Sequence, residues 1–172
     1  GTGGDFYLVK TDTNGAVLWS HAYGKAGAWM NFKSIIQTID TGFAVSCDVQ
    51  GPGGDQDILV IKIDKNGGYT WSNTYGTSGY ENSGFIMQDQ WGTFSLICGT
   101  DRGNGNYDML LTTMDSAGTA SSWSNYMDIS SYDMVEKVSP GNDGYSFMIK
   151  GQADWKDIVI KCSTWGYVYW SK

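Results

Sequence analysis

At 172 residues, with 41% hydrophobic and 15% aromatic side chains, the chain has the apolar material for one domain with a sizeable core, which speaks against a disordered tail. Its formal charge of −7 and pI near 4.4 speak against nucleic acid as a partner, because nucleic-acid binders replace phosphate counterions with clustered Lys and Arg. No apolar run approaches the roughly 18 residues that cross a bilayer, and no charged-then-apolar signal segment opens the chain, so no membrane insertion is expected.

The first element is Asp5 followed by the apolar run FYLVKTD at 6 to 12, which reads as a strand. A tight turn follows at Asp12-Thr13-Asn14-Gly15, where Asn and Gly supply the positive φ of a hairpin. The second strand of that hairpin carries Trp19. Next come KSIIQTID at 33 to 40 and GFAVSCD at 42 to 48, a second pair of strands whose later member alternates Phe43, Val45 and Cys47 on one face. Residues 57 to 76, DILVIKIDKNGGYTWSNTYG, then repeat residues 5 to 24, DFYLVKTDTNGAVLWSHAYG, almost word for word. GFIMQDQ at 84 to 90 and TFSLICG at 93 to 99 repeat the inner pair, with Phe94, Leu96 and Cys98 in the alternating row. The third round runs MLLTTMD (109 to 115), Asp115-Ser-Ala-Gly118, MVEKVS and YSFMIKG with Tyr145, Phe147 and Ile149. It closes on IVIKCST (158 to 164) and a turn at Thr164-Trp-Gly166 that reads one residue shorter.

Sliding the chain against itself aligns Asp5, Asp57, Asp108 and Asp157 at offsets of 52, 51 and 49, and a Trp closes each copy: Trp19, Trp71, Trp123 and Trp170. Four antiparallel strands per roughly 50 residues is the size of a β-propeller blade. The predicted fold is therefore all-β: propeller-type four-stranded antiparallel blades, three complete plus a half-blade. In one domain, 1-172, the half-blade occupies 1-24 and the blades about 30-76, 83-127 and 132-172. An alternative frame puts the half-blade at the C-terminus. No segment keeps a 3.6-residue apolar period, so no helix is expected. A closed ring takes about four to eight blades. Three and a half leave apolar faces that soluble monomers rarely expose, so the unfinished ends are expected to be covered by another copy or by chain beyond these residues.

The wording D-F-Y-L-V-K-T-D-T-N-G-A-V-L-W-S-x-x-Y-G, followed by S-I-I-Q-T-I-D-T-G-F-A-V, resembles the propeller-like repeats of large secreted and surface proteins of microbes. More distantly it resembles the Trp-containing repeats of quinoprotein propellers. The resemblance covers essentially the whole chain and implies scaffold, adhesion or interaction roles, with no catalytic residue attached to the motif. Low charge and abundant Gly, Ser, Thr, Asn and Tyr fit the extracellular or cell-surface location that it implies.

Among candidate sites, the recurrent Trp residues are expected to pack between neighbouring blades rather than to form a sugar ladder. The Asp opening each outer hairpin is expected to bond backbone donors without an ion. GPGGDQD at 51 to 57 has the Gly and Asp of a calcium loop but lacks its nine-residue register. The loops of one rim gather Trp29, Tyr80, Glu81, Tyr132 and Asp133, together with Asp48, Asp55, Asp101, Arg102, Asn104 and Trp155, a set that could stack on sugar rings or anchor a protein. The one histidine, His21, leaves no His-based metal cluster, and no nucleophile elbow or phosphate loop is present. Cys47, Cys98 and Cys162 are an odd number without a C-x-x-C pair, which predicts buried free thiols. The function these features predict is a non-catalytic structural or interaction module without a cofactor, a homo-oligomer or polymer such as a fibre subunit. A carbohydrate-binding propeller is the alternative, and part of a quinoprotein-like or glycan-active enzyme the remote one.

Overall fold

The computed structural model of the chain describes residues 4–24, 27–50, 54–103 and 105–172, apart from the side chains of 121–124. These residues are all β, with no helix among them. The first unit is a lone hairpin of β1 (Phe6–Thr11) and β2 (Val17–Tyr23). Three four-stranded antiparallel sheets follow, each paired in chain order. The first holds β3 (Met30–Gln37), β4 (Phe43–Gln50), β5 (Gln56–Ile63) and β6 (Tyr69–Tyr75). The second holds β7 (Glu81–Gln88), β8 (Phe94–Asp101), β9 (Tyr107–Met114) and β10 (Ala120–Met127). The third holds β11 (Asp133–Pro140), β12 (Ser146–Ala153), β13 (Lys156–Ser163) and β14 (Val168–Ser171). The two-stranded unit thus stands at the N-terminal end.

The outer turns explain why the Asp-x-x-Gly signature recurs. Asp12 Oδ1 accepts from the amides of Asn14 (2.8 Å) and Ala16 (2.9 Å), and Asp64 Oδ1 from Asn66 (2.7 Å) and Gly68 (2.8 Å). Asp115 repeats the pattern with Ala117 and Thr119. This side-chain bonding holds the chain in the turn before any tertiary contact forms.

The last turn is not shorter. Ser163 takes the Asp place, its Oγ accepting from the amides of Trp165 (3.3 Å) and Tyr167 (3.0 Å), and the Gly166 amide donates to Ser163 O as Gly118 donates to Asp115 O. Counting back along the strand, Lys156 pairs with Ala153 where Asp108 pairs with Thr100 and Asp57 with Val49. Asp157 therefore stands one residue out of the register that the sequence alignment assumed. The cause is the β12–β13 connection, cut to Asp154-Trp155, both at positive φ (46° and 66°). The inward row is displaced separately, upstream of β12: Phe147, not Tyr145, takes the place of Phe94, pairing with Cys162 as Phe94 pairs with Met114, while Tyr145 is exposed and stacks on Trp91.

The core lies between the sheets, not within any one of them. Phe6, Leu8 and Tyr23 of the hairpin pack on Cys47, Val49, Leu59 and Ile61 of the first sheet. Ile58 and Val60 pack on Ile86, Phe94, Leu96 and Cys98 of the second. Met109 and Leu111 pack on Phe147, Ile149, Ile158 and Ile160 of the third. Each such side chain contributes about 1.5–3 kcal/mol on burial, so a unit is stable only against its neighbour. The leading strands β3, β7 and β11 touch in succession. The trailing strands diverge, leaving wedge-shaped grooves of about 410 Å³ between β2 and β6 and about 230 Å³ between β6 and β10. A backbone register shift recurs in the first strand pair of every sheet, at Phe32/Ser34, Asn82/Phe85 and Val135/Lys137, and such bulges add twist to the strand that carries them.

Candidate functional site

The β2–β3, β6–β7 and β10–β11 loops meet the β4–β5, β8–β9 and β12–β13 loops on one rim. Each meeting is fixed by the same bond: the amides of Gln50, Asp101 and Asp154 donate to the carbonyls of Trp29, Tyr80 and Tyr132. The aromatic residue of each loop is thereby held at the rim, with Trp29 53% and Tyr80 42% exposed. Tyr80 Oη also donates to Gln56 Oε1 at 2.6 Å. Tyr132 lies between Tyr107 (ring centroids 5.2 Å) and Trp155 (4.8 Å, planes 14° apart). A bulky residue at positive φ, as Trp155 is, is uncommon, and the stack on Tyr132 opposes that backbone cost.

Glu81 and Asp133 lie beneath the rim, not on it. Glu81 is fully buried, accepting from the Thr77 amide (2.9 Å), Thr77 Oγ1 (2.6 Å) and Thr100 Oγ1 (2.7 Å). Asp133 accepts from the Ile129 amide (2.8 Å) and Ser130 Oγ (2.6 Å) in the equivalent loop. Both carboxylates close their own loops. Asp48 is likewise buried, against Lys33 at 3.0 Å, and burial holds its carboxyl above the ordinary value despite that lysine. Asn104 lies outside the described residues.

What the rim does offer is an open cleft of about 530 Å³, whose polar and aromatic lining includes Asp55, Tyr80, Asp101, Arg102 and Tyr126. Arg102 spans it, 4.4 Å over the Tyr126 ring and 2.9 Å from Asp108 Oδ2. Asp108, Asp128 and Asp133 bring carboxylate oxygens within 4.8 Å of one another, the one grouping of metal-ligand type among the described residues. The Arg102 guanidinium already supplies a cation there, and Asp133 is engaged by its own loop.

Asp5 and Asp57 press on Gly24 and Gly76, where any Cβ would collide with the carboxylate. Gly76 is replaced by Asp128 in the next copy, and there Arg102 takes Asp108. Lys156 occupies the place in the last sheet, and Asp157 is exposed.

The recurrent Trp residues link units. The indole N–H of Trp19 donates to Lys65 O (3.0 Å) in the turn of the next sheet, and that of Trp71 to Ser116 O (3.2 Å). Their rings meet Phe43 and Phe94 edge-on at 5.9 Å. The Trp123 side chain lies outside the described residues; two residues on, Asn125 donates to Trp165 O (2.9 Å). Trp170 ends the array, 41% exposed. A second, unforeseen set of links is Tyr23 Oη to Gly67 O (2.7 Å) and Tyr75 Oη to Gly118 O (2.5 Å); its trace in the sequence is the repeated Tyr-Gly that closes the first two hairpins. His21 sits between the rings of Trp19 and Tyr23 over Gly67, so its position is that of a junction residue.

All three thiols are buried and unpaired. Burial, with Asp48 nearby, pushes Cys47 up to about 12, and burial alone pushes Cys162 up to about 12. Cys98 is raised further by its burial and by Glu81. They are packing groups rather than nucleophiles. The chain matches no protein-family model and no curated protein.

Proposed function

We propose that this chain is a non-catalytic structural and interaction module of an extracellular or cell-surface protein, a propeller-type blade array that assembles with copies of itself. One observation carries the reading. Tyr7 and Val9 occupy in the hairpin the register that Leu59 and Ile61 occupy in the first sheet; the latter are 4% and 5% exposed beneath a neighbour, the former 64% and 50% exposed without one. A face built for a junction and left open favours a further unit. Sedimentation of residues 1–172 from low micromolar to submillimolar concentration tests this: mass should rise reversibly with concentration, and a monomer throughout would overturn it.

The cleft beside Tyr80 supports a second reading, a glycan site with aromatic walls and flanking carboxylates. Under it, Tyr80→Ala abolishes binding to an immobilised glycan panel with the fold retained, while Trp29→Ala, at a residue that does not line the cleft, leaves binding intact. A panel without a single binder removes this reading.

A further inference from the structure

Resting on the self-assembly reading above, the internal junctions specify how one copy meets the next. Each junction has a donor half and an acceptor half. The donor half is the trailing strand of one unit, with its indole bonded across the gap: Trp19 to Lys65 O and Trp71 to Ser116 O. The acceptor half is the outer turn of the following unit, whose positive-φ glycine is covered by the preceding strands. Gly67 lies under Trp19 and His21, Gly118 under Trp71 and Asn73, and Gly166 under Asn125 and Leu111.

Among the described residues, one acceptor and one donor stand uncovered. The turn at Asp12–Gly15 has the same internal bonds as its copies, yet no described residue lies within 4 Å of where a side chain on Gly15 would begin. Below that turn Tyr7, Val9 and Leu18 (59%) stand exposed. At the other end, Trp170 pairs across β13–β14 with Lys161, as Trp19 pairs with Lys10 and Trp71 with Lys62. Its indole has no hydrogen-bond partner among the described residues. The Lys161–Asp143 ion pair (3.4 Å) resembles Lys62–Asp40 (2.8 Å) of the first sheet, so at this point the open face keeps a feature of a face that is covered inside the chain.

We propose that copies join head to tail, the Trp170 indole of one donating to the Thr13 carbonyl of the next, with the face bearing Val159 and Lys161 laid over Tyr7, Val9 and Leu18. Asp157 and Lys150 stand on that face in the register of Met109 and Ile97. The contact is therefore more polar than an internal junction, which makes it the reversible joint of the assembly. Because the two surfaces differ, growth continues into a filament unless the rotation closes a ring.

The test uses Trp170→Ala, which removes the donor, and Val9→Lys, which charges the acceptor at a half-exposed position; near-ultraviolet circular dichroism checks that each is folded. Each variant alone should stay monomeric where the unmodified chain assembles, and an equimolar mixture should stop at dimers, since only one competent pair of ends remains. Trp170→Phe, which keeps a ring but loses the N–H, should associate about fivefold more weakly, the ratio that corresponds to a hydrogen bond of about 1 kcal/mol. Assembly of either single variant like the unmodified chain, or a mixture growing past dimers, overturns the head-to-tail contact while leaving self-assembly in place. An unmodified chain that stays monomeric overturns both.

Discussion

Replacing the same residue at two places in the repeat separates packing between sheets from packing within one. Trp71 lies partly buried at an occupied junction, its ring edge-on to Phe94 at 5.9 Å and its N–H 3.2 Å from Ser116 O. Trp71→Ala loses that hydrogen bond, about 1 kcal/mol, and the aromatic pair, about 0.5–1.5 kcal/mol. It also leaves a cavity, which brings the change toward the ~3–5 kcal/mol of a fully buried Trp→Ala. Partial exposure lowers the sum, and about 2–4 kcal/mol is expected. Trp170→Ala removes the equivalent ring at the uncovered end and should cost less than about 0.5 kcal/mol. The assay is urea unfolding followed by far-ultraviolet circular dichroism, at a concentration low enough that association contributes nothing. Equal losses for the two variants would mean that each Trp packs on its own sheet, and the junction account would fail.

Two further outcomes follow from the same contacts. With Cys47, Cys98 and Cys162 all buried and their thiols held well above the ordinary value, a colourless thiol-reactive disulfide reagent at pH 8 should label no native thiol on the timescale of minutes, and three per chain in unfolding urea; rapid reaction of one native thiol would show that a junction opens easily. Gly76→Ala should cost about 1–3 kcal/mol in the same urea assay, because the added Cβ drives into Asp57 and Glu81 where the backbone approaches them closely, and an unchanged midpoint would show that these carboxylates swing aside freely.

Much of the architecture is legible in the chain because its signals are local. Asp12, Asp64 and Asp115 bond the amides two and four residues on, so the turns are written within five residues and recur wherever that wording recurs. The alternation of Phe94, Leu96 and Cys98 marks one face of a strand, a local signal, although Ser95 and Ile97 on the other face are equally buried, because a sheet lies on both sides. The Gly that ends each turn, and the Trp that follows it, mark the hairpins for the same reason.

What only the tertiary structure decided is where long-range partners sit. Asp157 matches its counterparts by spelling, but with the connection cut to Asp154-Trp155 the residue that takes their place in the ladder is Lys156, and Asp157, one residue on, stands on the opposite face. Glu81 and Asp133 look like rim carboxylates in a linear reading; whether such a group faces solvent or its own loop's amides depends on where the loop closes. The partner of Trp71 is a carbonyl on Ser116, in a different repeat, which no local pattern encodes. Sequence alone therefore determined the unit and its count. The folded chain determined which faces are covered between units, because burial belongs to pairs of surfaces.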